Sequence, residues 1–153
     1  MITSASNKSI KNVQALLSKA KERKKQGVFV VEGPKMSFEA PYDWVSAVYM
    51  SESFFNDDRF KEEKKRFLDK TEIVSDSVFK SMSDTQTPQG VLAIVKMPRY
   101  EIDELFKGDK TELLVLESIQ DPGNLGTMIR TGEGAGVSGI IMNRTTVDIF
   151  NPK

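Results

Sequence analysis

Five short apolar runs do most to restrict what this chain can fold into: Val28–Val31, Trp44–Met50, Gly90–Lys96, Glu112–Glu117 and Gly139–Met142. Runs of this length, bounded by Gly, Pro and charged residues, read as buried strands, and stretches of helical periodicity lie between them. Strand, helix and strand alternate through the whole sequence, so the expected fold class is α/β. The helical side of the pattern begins at the N-terminus. Val13, Leu16, Leu17 and Ala20 fall at i, i+3, i+4 and i+7, which predicts one amphipathic helix over about 8–25, stopped by Gly27. Pro34 can open a second helix reaching Glu39, and a highly charged helix is expected over about 57–68 with Phe60, Phe67 and Leu68 on one side. Glu72–Ser75 reads as a further short strand, and Asp76 or Ser77 as the cap of a helix ending near Met82.

From Met97 to Lys110 the sequence is polar and charged, with one Pro and one Gly. It reads as a linker holding at most one helical turn. The expected division is therefore 1–98, a linker at 99–110, and a second unit at 111–153. That second unit has two strands and one helix, too few to bury both faces of a parallel sheet, so the sequence reads as a fragment of a longer protein.

Composition removes several chemistries. The 153 residues contain no Cys and no His. Disulfides, Cys/His zinc sites, a Ser-His-Asp triad and an imidazole base are all excluded. No metal site is expected. Neither a bilayer-length apolar run nor a signal-peptide core is present, so a soluble, cytoplasmic protein without a membrane partner is expected. The 22 basic and 22 acidic residues cancel overall but not locally. Lys8, Lys11, Lys19, Lys21, Arg23, Lys24 and Lys25 stand against Glu22 alone in residues 1–27, giving that segment a charge of +6 and the remainder −6. A concentrated basic segment on an acidic chain fits a polyanion partner; charge alone fits a solvated lysine-rich helix equally well.

Two glycine-bearing segments need separate readings. Gly134–Gly139 matches G-x-G-x-x-G, but it follows a helix and precedes a strand, the reverse of what a dinucleotide site requires. It reads as a helix stop and turn. Asp121–Arg130 (D-P-G-N-L-G-T-M-I-R) is the stronger candidate, because it lies where a parallel strand hands over to a helix. Asp121 or Asn124 can cap that helix, Gly123 and Gly126 leave room for close approach, and the planar fork of Arg130 suits phosphate. A well-capped crossover with a surface arginine would show the same pattern.

These residues carry a family resemblance. Leu116–Met142 resembles the first motif of the SpoU/TrmH family of RNA ribose 2'-O-methyltransferases, with Asp121, Pro122, Asn124, Gly126, Arg130 and Gly136 at the motif positions. Upstream, Arg23 followed by Phe29-Val30-Val31-Glu32-Gly33, and Thr87-Pro88-Gln89-Gly90-Val91, resemble the family's N-terminal substrate-binding domain. Phe150-Asn151-Pro152-Lys153 resembles the point where such proteins run on into a second motif.

The resemblance implies a small α/β/α RNA-binding domain followed by the beginning of a trefoil-knotted, parallel-sheet methyltransferase domain. It implies S-adenosylmethionine as methyl donor, a ribose 2'-hydroxyl of rRNA or tRNA as acceptor, and a homodimer for the full-length protein. Arg130 would be the catalytic arginine and Asn124 its support, with Asp121 and Gly126 shaping the turn. An arginine with a pKa above ~12 is a poor base at neutral pH, so Arg130 is expected to anchor ribose and phosphate. Asn7, Lys8, Lys11, Arg23, Lys24 and Lys25 are the expected RNA contacts; for Glu32, capping and substrate contact stand level. Phe38, Tyr42 and Trp44 can stack on bases but fit core packing better. The family's second and third motifs are not in this sequence, so no cofactor-binding residue is assigned and the 153-residue species is expected neither to bind S-adenosylmethionine nor to turn over. The alternative is a non-catalytic RNA-binding module; a phosphate-ester enzyme using the Asp121–Arg130 turn lacks both a P-loop and a carboxylate cluster.

Overall fold

The computed structural model describes residues 1–152, which fall into two compact units: 1–97 together with 150–152, and 98–149. Lys153, the last residue of the expected second unit, lies outside the described residues.

The first unit runs α1 (Lys8–Ser18), α2 (Ala20–Gln26), β1 (Val28–Glu32), α3 (Pro34–Glu39), β2 (Val45–Ser51), α4 (Glu52–Asn56), α5 (Lys61–Arg66), β3 (Thr71–Val74), α6 (Asp76–Met82) and β4 (Val91–Lys96). Its strands form one mixed sheet in the order β1-β4-β2-β3, with β4 antiparallel to β1 and β2, and β2 parallel to β3. Side chains alternate between two cores. Leu92 and Ile94 join Ile10, Val13 and Leu16 of α1 and Val78 and Phe79 of α6, whereas Val91, Ala93 and Val95 join Phe38, Phe54 and Phe67 on the other face. Burial on both faces explains why β4 reads as an unbroken apolar run. Phe67 and Phe79 are fully enclosed, and cutting either to alanine would cost ~3–5 kcal/mol. In β2 the register slips between Val45 and Ala47, leaving exposed Ser46 as the extra residue of a bulge. The slip lets Val45 face the Phe67 core although Ala47 and Tyr49 face the α1 core.

Three departures from the expected elements have local causes. The helix expected over about 8–25 breaks at Lys19, whose backbone is extended (φ −127°, ψ 107°). The break frees the last carbonyls of α1, and the buried Arg23 guanidinium donates through Nη1 to Leu16 O at 2.8 Å and Leu17 O at 3.4 Å. The charged helix expected over about 57–68 is shorter, only α5 (Lys61–Arg66), with Phe60 before it and Phe67 and Leu68 after it. Phe60 sits at a left-handed φ of 57° between α4 and α5, and the ammonium of buried Lys64 donates to the carbonyls of Phe54, Phe55 and Asp57. Finally, Ile2 bridges to Val74, donating to Ile73 O and accepting from Ser75 N, so the N-terminal segment covers the β3 edge.

The second unit holds a short 3-10 turn at Ile102–Phe106, then β5 (Leu113–Leu116), α7 (Pro122–Ala135) and β6 (Gly139–Met142). β5 and β6 pair in parallel, as the sequence implied. The 3-10 turn packs onto this unit: a Cβ at Gly139 would lie 2.6 Å from Leu105 Cδ2. Helix α7 approaches the sheet closely at buried Gly132, where a Cβ would sit 3.3 Å from Leu114 Cδ2. Gly136 ends α7 at φ 77°, so the glycine-rich stretch is a helix stop.

Candidate functional site

Asp121 caps α7, its Oδ1 accepting from Asn124 N at 2.6 Å, and Pro122 takes the first helical position, where its missing N–H costs nothing. Gly123, Gly126, Thr127 and Arg130 follow at i, i+3, i+4 and i+7 and share one face of the helix. Two of these four carry no side chain, and Arg130 uses the space. A Cβ at Gly126 would be 3.3 Å from Arg130 Nη1, so the guanidinium lies back along the helix. Nη2 donates to Thr127 Oγ1 at 3.2 Å, and that hydroxyl donates to Gly123 O at 3.0 Å. Arg130, Asn124 and Asp121 are all exposed. The result is an accessible cation, tethered among the described residues by one neutral hydrogen bond, beside the N-terminal turns of a fourteen-residue helix whose dipole also favours anions.

The loop after β5 is laced to the loop after β6, which the sequence did not disclose. Ser118, at φ 56°, donates its N–H to Asn143 Oδ1 at 3.0 Å, and its hydroxyl lies 2.8 Å from Thr145 Oγ1. Gln120 Nε2 donates to Thr145 O at 2.6 Å, and Val147 N to Ile119 O at 2.8 Å. These bonds fix the approach to Asp121 from the carboxyl ends of both parallel strands, where open α/β sheets place ligands. Once β5 and β6 are paired, the polar Asn143–Thr146 stretch after the apolar Gly139–Met142 strand is the signal that would have found it.

The basic segment keeps four of its expected cations at the surface. Lys8 and Lys11 lie on α1, Lys24 and Lys25 on α2, all exposed. Asn12 and Gln26 exchange amide hydrogen bonds (3.3 and 2.9 Å), which clamps the two helices together beside Lys11 and Lys25. Asn7 caps α1 by accepting from Ser9 N at 2.8 Å. Arg23 departs from its expected place: it is 3% exposed and caps α1 from inside, so it is not a surface contact. Glu32 is spent on structure as well, Oε1 accepting from Ser83 Oγ at 2.7 Å and Thr85 Oγ1 at 2.8 Å to pin the loop before β4. Phe38 is core and Trp44 is 40% exposed.

Among the described residues no cluster of carboxylates suits a metal ion, and no helix is long and apolar enough to cross a membrane. A mixed-sheet α/β unit is followed by a parallel βαβ unit that bears an exposed arginine on its crossover helix. The family described as the MRM3-like substrate binding domain matches residues 7–93. The chain belongs to that family, and the proteins it resembles include SpoU- and TrmH-family methyltransferases. It is 33% identical, over 99% of its length and 58% of the relative's, to the 23S rRNA (guanosine(2553)-2'-O)-methyltransferase RlmP of Bacillus subtilis. It is 29% identical to the mitochondrial rRNA methyltransferase 3 of Homo sapiens, over 94% of this chain and 35% of that protein. An S-adenosylmethionine-bound rRNA methyltransferase from Sinorhizobium meliloti superposes with a TM-score of 0.80 at 26% identity, covering 98% of this chain and 56% of that one. The chain thus spans about half the length of the B. subtilis and S. meliloti proteins.

Proposed function

We propose that this chain is the RNA-recognition domain and first catalytic motif of an S-adenosylmethionine-dependent rRNA ribose 2'-O-methyltransferase. The observation that carries the reading is the Asp121–Arg130 turn: a capped helix start, glycines in place of side chains, and an exposed guanidinium held among the described residues by one neutral bond. Residues 1–98 bind the RNA, 99–110 connect, and 111–153 begin the methyltransferase domain. The names of the relatives favour rRNA over tRNA.

In this reading Arg130 binds the phosphate and ribose beside the target nucleotide and lines up the 2'-hydroxyl for in-line attack on the methyl group. S-adenosylmethionine, when bound, supplies an electrophilic methyl on a sulfonium. Such alignment is worth several kcal/mol, up to ~7–11 in the best intramolecular cases. Asn124, exposed on the first turn of α7, supports the same site. The cofactor pocket and the homodimer interface belong to the length by which the relatives exceed this chain. The 153-residue chain by itself therefore binds RNA but retains no S-adenosylmethionine.

Two titrations check this. Isothermal calorimetry of the 153-residue chain with micromolar S-adenosylmethionine gives no saturable heat; a stoichiometric isotherm would contradict the division of labour. RNA binding by the same chain weakens with salt, and replacing Lys8, Lys11 and Lys25 by alanine lowers the log–log slope by roughly 0.7 for each lost phosphate contact. An unchanged slope would reduce the basic helices to a solvated face.

A further inference from the structure

The carboxyl ends of β1, β2 and β3 and the amino end of antiparallel β4 meet at one edge of the first unit's sheet. A cleft of about 800 Å³ opens there, within the ~300–1,000 Å³ range of small-ligand sites. Backbone that only glycine adopts easily makes the space. Gly90 has φ 82°, and a Cβ on it would lie 2.6 Å from Phe54 Cβ and 2.9 Å from Ser51 Oγ. The ring of Phe60 forms part of the lining; it stacks on Phe54 at 6.0 Å and 21° and remains 36% exposed. An adjoining hollow of about 400 Å³ shares Pro34, Phe60 and Gln89, so the ring borders open space in both.

The polar groups of the cleft divide sharply into used and unused. Asp57 grips the Arg59 guanidinium, accepting from Nε at 3.0 and 2.9 Å and from Nη2 at 2.6 Å, which orients the fork and leaves Nη1 unbonded among the described residues. Asp76 accepts from Ser53 N and Oγ at 3.2 and 2.7 Å. Both carboxylates are therefore satisfied. The Lys80 ammonium and the Gln89 amide also line the cleft, and neither has a side-chain hydrogen bond among the described residues. What the cleft offers is one aromatic surface, one amide that both donates and accepts, and two cations.

That set matches a nucleotide: a π-face to stack, a base edge with donors and acceptors, and a phosphate. A base inside a duplex presents no free face, so the nucleotide must be unpaired. We infer that this cleft holds one unpaired nucleotide of the RNA, its base on Phe60, its edge on Gln89 and its phosphate between Arg59 and Lys80. The inference rests on the reading of the first unit as an RNA-binding domain, and it places recognition of unpaired RNA away from the basic helices.

The test uses the 153-residue chain, a single-stranded oligoribonucleotide and a blunt RNA duplex, followed by fluorescence anisotropy at several salt concentrations. Phe60→Asn removes the ring but keeps a residue that tolerates the left-handed backbone. Gln89→Ala removes the exposed amide at little risk to the fold, and Lys80→Ala removes one cation. Phe60→Asn should weaken single-strand binding roughly tenfold with an unchanged salt slope, and leave duplex binding as in the wild type. Gln89→Ala should weaken it in the same way, and Lys80→Ala should lower the slope by about 0.7. If Phe60→Asn melts early, Gln89→Ala carries the test. Should the wild type bind RNA while Phe60→Asn and Gln89→Ala bind equally well, the cleft proposal fails and the RNA-binding reading stands. Should the wild type bind neither RNA, both fail together.

Discussion

Arg23 offers a choice between two physical roles, and a single substitution separates them. A surface arginine in a +6 segment would be a phosphate contact, and losing it would flatten the salt dependence of RNA binding by about 0.7 in log–log slope. In the structure the residue is 3% exposed, and Nη1 donates to the carbonyls of Leu16 and Leu17 where α1 breaks before α2. Arg23→Met keeps much of the aliphatic length and removes the donors. Two helix-end carbonyls are then left without this partner; a hydrogen bond from a charged donor is worth ~1.5–3 kcal/mol, and the 3.4 Å contact adds little. For a unit of about a hundred residues each kcal/mol moves the melting midpoint by ~4–8 °C, so a drop of roughly 6–24 °C is expected. Lys24→Met, on the exposed side of α2, is the control and should melt within ~2–4 °C of wild type. The assay is thermal unfolding followed by circular dichroism, with RNA-binding salt slopes on the same proteins below their midpoints. Arg23→Met with a wild-type midpoint and a flattened slope would refute the capping argument outright.

Glycine substitutions test the strained turns: Gly90→Ala combines a left-handed φ of 82° with a 2.6 Å approach to Phe54 Cβ and should cost ~2–5 kcal/mol, whereas Gly136→Ala, at φ 77° with open space around it, should cost only ~1–2, both read from urea midpoints. The Asp57 carboxyl is held at about 2, below its ordinary 3.8, mainly by the hydrogen bonds from the Arg59 side chain and backbone N–H. Because its folded pKa is depressed, its contribution is complete above about pH 3.8 and is lost as pH falls through about 2. Urea midpoints of Asp57→Asn at pH 5 and pH 2.5 should therefore lie closer together than those of the wild type; an equal gap would show that the ion pair adds nothing.

Much of this architecture was legible because β4 is buried on both faces and β1 packs against both cores, whereas β5, with Val115 69% exposed, and β6 are only partly covered. β4 and β1 read as unbroken apolar runs for that reason, and Pro34, Gly27 and Gly136 punctuate the helices by backbone preferences that act locally. What escaped depends on partners distant in sequence. The break at Lys19 is stabilised by Arg23 folding back on α1, and the α4–α5 division by Lys64 reaching three carbonyls. Ile2 is a strand only because Val74 lies beside it. The candidate site shows the same contrast. The turn from Asp121 to Arg130 was readable from Pro, Gly and a capping Asp within ten residues, whereas the lacing of Ser118 and Gln120 to Asn143 and Thr145 exists only once β5 and β6 are adjacent. Charge was the least informative signal, since the +6 segment includes a cation that faces inward.

Arg130 is the residue on which the proposed methyl transfer turns. In the protein that carries this sequence, incubated with methyl-labelled S-adenosylmethionine and rRNA, the label should enter a ribose 2'-O-methyl group, recovered as an alkali-resistant dinucleotide. Arg130→Ala should abolish that transfer while leaving the fold and the RNA affinity of residues 1–98 unchanged, since among the described residues the side chain makes one neutral hydrogen bond, to Thr127. Label appearing on a base, or full transfer by Arg130→Ala, would contradict it.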